Sequence, residues 1–239
     1  IGPCHVHDFI SEGKKKTLCP YELATLTASN AKVLIADYYY LFNQSIRTSF
    51  LMKIKKELEN AIIIVDEAHN LPARISELLT QKISSQIIEY AKKEALKFGY
   101  NETVDNLDIV ETALFEAGKN IETEGTISRS SLIDAAAKSK AYEEIMSELS
   151  YTGEDIRDKQ KKSFVLSVAK FMEAWLGSDI GYGRILAKEI DKKLKLTLSY
   201  RCLDPSLAAR EVIEKSYCTI LMSGTLTPAS SSCIIASGQ

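Results

Sequence analysis

The sequence lacks any apolar run of about 18 residues, so no segment reads as a membrane-spanning helix. Its first residues, "IGPCHVHDFI", have neither the basic start nor the apolar stretch of a secretory leader. Five cysteines, an odd number and widely scattered, argue against a secreted disulfide framework. These absences make an intracellular protein the expectation, cytoplasmic in a prokaryote and nuclear in a eukaryote. An excess of one charge is missing too: 30 basic residues face 32 acidic ones, for a net charge of -2. No global field draws the molecule to nucleic acid, and any such binding needs a local groove. Internal repeats and low-complexity segments are also missing.

What is present is a globular composition, 45% hydrophobic and 26% charged over 239 residues, enough for one large domain or two ordinary ones. Three β-branched runs stand out: "KVLIA" (32–36), "AIIIV" (61–65) and "CTILM" (218–222). None alternates, which predicts strands covered on both faces of a parallel sheet. Residues 40–60 leave room for a crossover helix between the first two. About 150 residues precede the third, too many for a loop, so an inserted domain is expected. Within it, "QKISSQIIEYAKKEALKFG" spaces Ile83, Ile87, Ala91 and Ala95 as one helix stopped by Gly99. "SRSSLIDAAAKSKAYEEIMSELS" reads as a second, opened by serines and carrying Leu132, Ala136, Ala137, Tyr142 and Ile145. "KKSFVLSVAKFMEAWLG" is a third, ended by Gly177, with Trp175 on its core side. "YGRILAKEI" and "KLKLTLSYRCL" form an antiparallel hairpin across Asp191, Lys192 and Lys193, with Leu194, Leu196 and Leu198 alternating. The predicted fold class is α/β, a partial parallel sheet with a large, mainly helical insertion.

Charge is unevenly spread. Residues 101–125 hold Glu102, Asp105, Asp108, Glu111, Glu116, Glu122 and Glu124 against Lys119 alone, whereas "DKQKKS" (158–163) and "DKKLK" (191–195) are basic. Both can be solvated surface; the sharper reading has Lys159, Lys161 and Lys162 lining a groove and the acids facing away. Tyr38, Tyr39 and Tyr40 are candidates for stacking on bases.

The chemistry concentrates in "AIIIVDEAHN", where bare aliphatics run into ionisable groups. Open parallel sheets bind ligands beyond the carboxyl ends of their strands, where Asp66, Glu67 and His69 emerge. In phosphate-loop hydrolases an Asp here helps hold Mg²⁺ on the phosphates, and a neighbouring Glu can polarise the attacking water. His69 comes within reach of a polar group on another strand. The alternative is that Asp66 and Glu67 only cap the next helix. "LMSGTLTP" (221–228) brings Ser223 and Thr225 to the same sheet edge.

"IIIVDEAHNLP" followed far downstream by "ILMSGTLTP" resembles the XPD-type superfamily 2 helicases. "LCPYELA" is similar to the last cysteine of that family's iron–sulfur domain and the helix after it, "AKVLIADYYYLF" to its next strand, and "RCLDPSLAAREVIEKSYCTILMSGTLTP" to its return into the motor. The resemblance implies a first RecA-like motor domain interrupted by a helical Arch domain, in an ATP- and Mg²⁺-dependent 5′-to-3′ DNA helicase of nucleotide-excision-repair type. It assigns residues 1–20 to the end of the iron–sulfur domain, 21–79 to the DEAH-box part of the motor and 80–199 to the Arch. Residues 200–228 become the return to the motor, and 229–239 a tail, native or vector-derived. Single-stranded DNA would pass between Arch, cluster domain and motor, and repair or transcription-factor regulatory proteins would dock on the Arch. No membrane partner is implied.

No G-x-x-x-x-G-K-[ST] string occurs, so the phosphate cradle is not among these residues and the chain alone is expected to hydrolyse no ATP. With Ile1 at its start, the chain reads as a middle piece of a helicase. By resemblance Cys4 and Cys19 are the third and fourth ligands of a [4Fe–4S] cluster, unoccupied here because four thiolates are needed. Residues 1 to about 20 would then be poorly ordered or refolded onto a neighbour. A rival is Zn²⁺ on Cys4, His5 or His7, and Cys19. Cys218, inside an apolar strand, reads as a buried small hydrophobe. Two other readings stay open: an Arch-based interaction module for a regulatory partner or DNA, and a DinG-type helicase.

Overall fold

The computed structural model describes residues 5–190 and 194–224. Cys4, the turn residues Asp191, Lys192 and Lys193, Thr225 and the tail 229–239 lie outside the described residues. The chain forms two compact units: Ile1–Leu78 with Pro205–Gln239, and Leu79–Asp204.

Unit one begins with α1 (Val6–Lys15), where disorder was expected. Its ends explain why it forms. The His5 ring accepts the His7 N–H as a cap at 3.3 Å, Asp8 sits in the first turn, and Lys14 and Lys15 sit in the last. α2 (Pro20–Asn30) starts on a proline whose fixed φ suits the first helical position. The run 32–36, predicted as a strand, has no regular secondary structure and pairs with nothing among the described residues. Ile35 is 100% exposed and Val33 80%. A β-branched run becomes a strand only where another backbone meets its N–H and C=O groups, and here none does. α3 (Tyr39–Phe42) and α4 (Gln44–Ile54) fill the stretch expected to hold a crossover helix, but with no strand formed at 32–36 they link no strand pair; α4 is capped by Asn43 Oδ1 on the Ile46 N–H at 3.2 Å. β1 (Ile62–Val65) follows, then α5 (Leu71–Leu79).

Unit two comprises β2 (Gln81–Ser84), α6 (Ser85–Lys97), α7 (Asn101–Ala117), β3 (Glu124–Thr126), α8 (Arg129–Ala137), α9 (Tyr142–Gln160), α10 (Phe164–Trp175), β4 (Tyr182–Ile190) and β5 (Leu194–Cys202). Its sheet is antiparallel in the order β2-β5-β4-β3. The predicted hairpin is β4–β5, with Leu186 opposite Leu198. Two predicted helices are corrected. Residues 81–84 pair with β5 instead of continuing α6, because Ile83 can then turn into the core while Ser84 caps Ile87 at 3.3 Å. α8 and α9 are separate because both present apolar faces to one core. Ala136 and Tyr142, six residues apart, would point about 120° apart on a continuous helix, yet both are buried.

Trp175, Tyr142, Phe171, Ile145 and Leu149 form the centre of that core. α9 and α10 approach until a Cβ on Gly153 would lie 2.5 Å from the Leu166 nitrogen. Buried Glu94 holds the start of α10 from outside, accepting from Gln160 (2.5 Å), Ser163 Oγ (2.8 Å) and the Val165 N–H (3.0 Å). The Arg184 guanidinium lies over the Trp175 and Tyr200 rings, 5.1 and 4.9 Å from their centroids. Several of the acids of 101–125 pair with surface or half-buried cations: Asp108 and Glu111 with Lys92, Glu116 with Lys138.

The chain returns to unit one through α11 (Ser206–Lys215) and β6 (Cys218–Leu221). β6 runs parallel to β1, Ile62 opposite Cys218 and Val65 opposite Leu221. Arg47, its side chain buried, joins α4 to α11 through Glu211 at 2.6 Å and caps Leu41 O at 2.9 Å. The expectation of strands covered on both faces fails: Ile63 and Val65 are buried, whereas Ile62 and Ile64 are exposed. Cys218 is exposed too, not a core residue.

Candidate functional site

The carboxyl ends of β1 and β6 converge on one small network. The parallel ladder continues past Val65, with the Met222 N–H donating to Val65 O and the Ala68 N–H to Met222 O, each at 2.9 Å. Between those bonds the chain turns sharply. Glu67 takes φ 49° and ψ 44°, left-handed values that cost a residue with a side chain about 1–2 kcal/mol. Strain of this kind persists only where surrounding bonds impose it. Here the Asn70 N–H donates to Glu67 O at 2.9 Å, and the Glu67 N–H donates to Asp66 Oδ1 at 2.9 Å.

The turn leaves Asp66, Glu67 and His69 exposed, with buried Val65 and Ala68 as its footing. His69 Nδ1 lies 2.7 Å from Ser223 Oγ, across 154 residues of sequence, and 3.2 Å from Glu67 Oε2. A protonated Nδ1 can serve both oxygens. No side chain caps the short turn that leads into α5, so neither Asp66 nor Glu67 serves as its cap. The expected meeting of His69 with a polar group on another strand takes place, and the group is Ser223. Thr225 lies outside the described residues.

Sequence reasoning missed Tyr38. Its hydroxyl donates to Asp66 O at 2.5 Å and lies 3.4 Å from Glu67 O. Burial pushes its phenol pKa up, and the negative charges of Asp66 and Glu67 push it further. Tyr39 and Tyr40 stack on each other (4.3 Å), and Tyr40 packs on Phe50 (4.7 Å), so the three do not form a row of base platforms. Trp175 is buried, its indole N–H on Arg129 O at 3.1 Å. Lys159 is held by Asp155 at 2.6 Å, which offsets its charge; Lys161 and Lys162 are exposed. Only the signal "hydroxyl within reach of a tight turn" could have found Tyr38, and that requires the fold.

Of the thiols, Cys19 is exposed at the start of α2, Cys218 lies on β6, and Cys202 is buried in β5, where burial pushes its pKa up. No three His, Cys, Asp or Glu side chains among the described residues are grouped as a metal site. Of the two candidate cluster ligands, Cys4 lies outside the described residues, so Cys19 alone can be placed. His5, the Zn²⁺ candidate, instead caps α1. Among the described residues, no helix is long and apolar enough to cross a membrane.

Residues 2–88 match the family model described as DEAD_2. Curated relatives include the ATP-dependent DNA helicase CHL1 of Yarrowia lipolytica, 24% identical over 93% of this chain and 31% of that protein. Another is the regulator of telomere elongation helicase 1 homolog of Caenorhabditis elegans, 30% identical over 48% of this chain and 12% of that protein. The chain thus spans about a third or less of the curated relatives it matches. Among solved structures, an apo XPD superposes with a TM-score of 0.57 at 24% identity, covering 81% of this chain and 35% of that one. S. tokodaii Xpd4 gives 0.55 at 21% identity, covering 80% and 39%. By sequence over residues 2–88 and by fold over most of its length, the chain is similar to the XPD-like superfamily 2 helicases, an α/β RecA-like fragment with a mainly helical insertion.

Proposed function

We propose that this chain is the DEAH-box part of an ATP-dependent DNA helicase that moves 5′ to 3′ on single strands in DNA repair. Unit two, Leu79–Asp204, is its Arch and the docking platform for regulatory proteins. The observation that carries the reading is the juxtaposition of Asp66, Glu67 and His69 with Ser223 at the carboxyl ends of two parallel strands. Nucleotide chemistry fits these residues. Asp66 is exposed at the strand end, and Mg²⁺ on a nucleotide needs only one or two protein carboxylates besides phosphate oxygens and water. Bound Mg²⁺·ATP supplies the reacting phosphoanhydride and the neutralising charge. Asp66 holds the ion. Glu67, exposed beside it, accepts a proton from the attacking water. His69, hydrogen-bonded to Ser223, ties the strand carrying the base to the neighbouring strand. The phosphate cradle is not in this sequence, so these residues work only beside one supplied by the intact helicase. No step is assigned to an iron–sulfur centre.

The test is a pair of substitutions in the intact helicase. Glu67→Gln is expected to abolish DNA-stimulated turnover while ATP still binds, because the amide is nearly isosteric but a far weaker base. Asp66→Asn is expected to weaken Mg²⁺-dependent nucleotide binding instead. An identical kinetic defect in both would show the division of roles to be wrong.

A further inference from the structure

We propose that Tyr38 is a positioning residue for Glu67, acting through the single peptide group that joins Asp66 to Glu67. The proposal rests on the roles given above to the two carboxylates. That peptide is held at both ends. Its carbonyl accepts the Tyr38 hydroxyl at 2.5 Å, and its N–H donates to Asp66 Oδ1 at 2.9 Å. The second bond uses the very carboxylate that is to hold Mg²⁺. An oxygen turned to a divalent cation loses much of its capacity to accept from an amide, so metal binding weakens that end of the clamp. The Tyr38 bond involves no metal ligand atom and persists. It then becomes the remaining restraint on that one peptide, which leads into the left-handed backbone at Glu67, φ 49°.

Tyr38 is well placed to supply that restraint. It stands 28 residues upstream of Asp66, at the start of α3, whose Phe42 is buried beside α4. The rest of the turn is fixed elsewhere: Ala68 by Met222 O and Asn70 by Glu67 O. Loss of the hydroxyl therefore frees one peptide and the direction of one side chain, not the fold.

In the intact helicase, Tyr38→Phe is expected to lower kcat for ATP hydrolysis about tenfold, the scale of a small misplacement of a catalytic group, with KM for ATP changed less than about twofold. In a Glu67→Gln background the same substitution is expected to change residual turnover by less than about twofold, because no base is left to aim. On this 239-residue chain without nucleotide, Tyr38→Phe is expected to speed amide exchange at Glu67 about tenfold while β1 and β6 keep their protection. Tyr38→p-aminophenylalanine, which retains a donor, is expected to restore kcat and protection together. If Tyr38→Phe does not fold, Tyr38→p-methoxyphenylalanine, which keeps the ring and oxygen without the proton, replaces it. Unchanged kcat in Tyr38→Phe beside an inactive Glu67→Gln overturns the role of Tyr38 alone. So does a rate loss matched by a lowered melting temperature and multiplied in the double variant. Full turnover in Glu67→Gln overturns the role of Glu67, and that of Tyr38 with it.

Discussion

Aliphatic side chains of the same kind meet opposite fates in the two units. In unit two Ile88, Ile145, Leu196 and Leu198 are wholly buried, and the helices and the sheet close on one core. In unit one Val33, Ile35, Ile62 and Ile64 are exposed, although they belong to runs of consecutive aliphatic residues. Hydrophobicity set which segments could become strands; the surfaces available in each unit set which were covered. The difference extends to chemistry. Unit two uses its charged groups for structure, as Glu94, Lys92 and Arg184 do, whereas unit one leaves Asp66, Glu67 and His69 in the open.

The comparison can be broken or sharpened by substitutions ordered by expected effect. Trp175→Ala removes the largest fully buried side chain and is expected to cost unit two about 3–5 kcal/mol in urea unfolding followed by circular dichroism. A loss below that range would mean that the core of unit two is not continuous. Gly153→Ala forces a methyl against the Leu166 backbone and is expected to cost about 1–3 kcal/mol. Trp175 fluorescence reports it, since the chain has a single tryptophan.

A smaller, pH-dependent effect is expected in unit one. Hydrogen bonds from Arg47 and then Lys215 hold the Glu211 carboxyl below its ordinary 4.5. Its stabilising contribution is therefore complete above 4.5 and fades as the pH falls through the lower, folded value. Glu211→Gln should flatten the acid limb of unit one, read as amide protection in α11, and leave unit two unchanged. The smallest effect is expected for Ile62→Thr, within about 0.5 kcal/mol, because the side chain is already in solvent and threonine suits a strand. A large loss there would show Ile62 to be covered in solution.

Features set by nearby residues were legible in the sequence. Ser128 caps α8 as expected, and Gly99, at φ 81°, follows the end of α6. The β4–β5 hairpin followed from alternation alone. Illegible were the features set by distant partners. Nothing near Ile83 announces that β5 takes it out of the helical pattern, and nothing near Lys138 announces a break that only a shared core requires. The same holds for the site. The DEAH string and the SGT string each end an aliphatic run, so their meeting could be read from two strands; Tyr38 joins them from a segment whose own strand does not form.

The parallel pairing of β1 with β6 also constrains the order in which the chain can fold. In an unfolded chain, joining Val65 to Leu221 means closing a very long loop, and such pairings form slowly. Unit two changes that geometry. Its first strand, β2, lies beside its last, β5, with Gln81 opposite Tyr200 and the Cys202 N–H on Thr80 Oγ1 at 3.1 Å. Once unit two has folded, its entrance and exit are neighbours, and the loop that β1 and β6 must close shrinks roughly fivefold. The entropy of closure falls by about 1.4 kcal/mol, or a tenfold gain in the chance of encounter. The insertion is then a splint: once its own first and last strands have paired, it delivers two distant strands to each other.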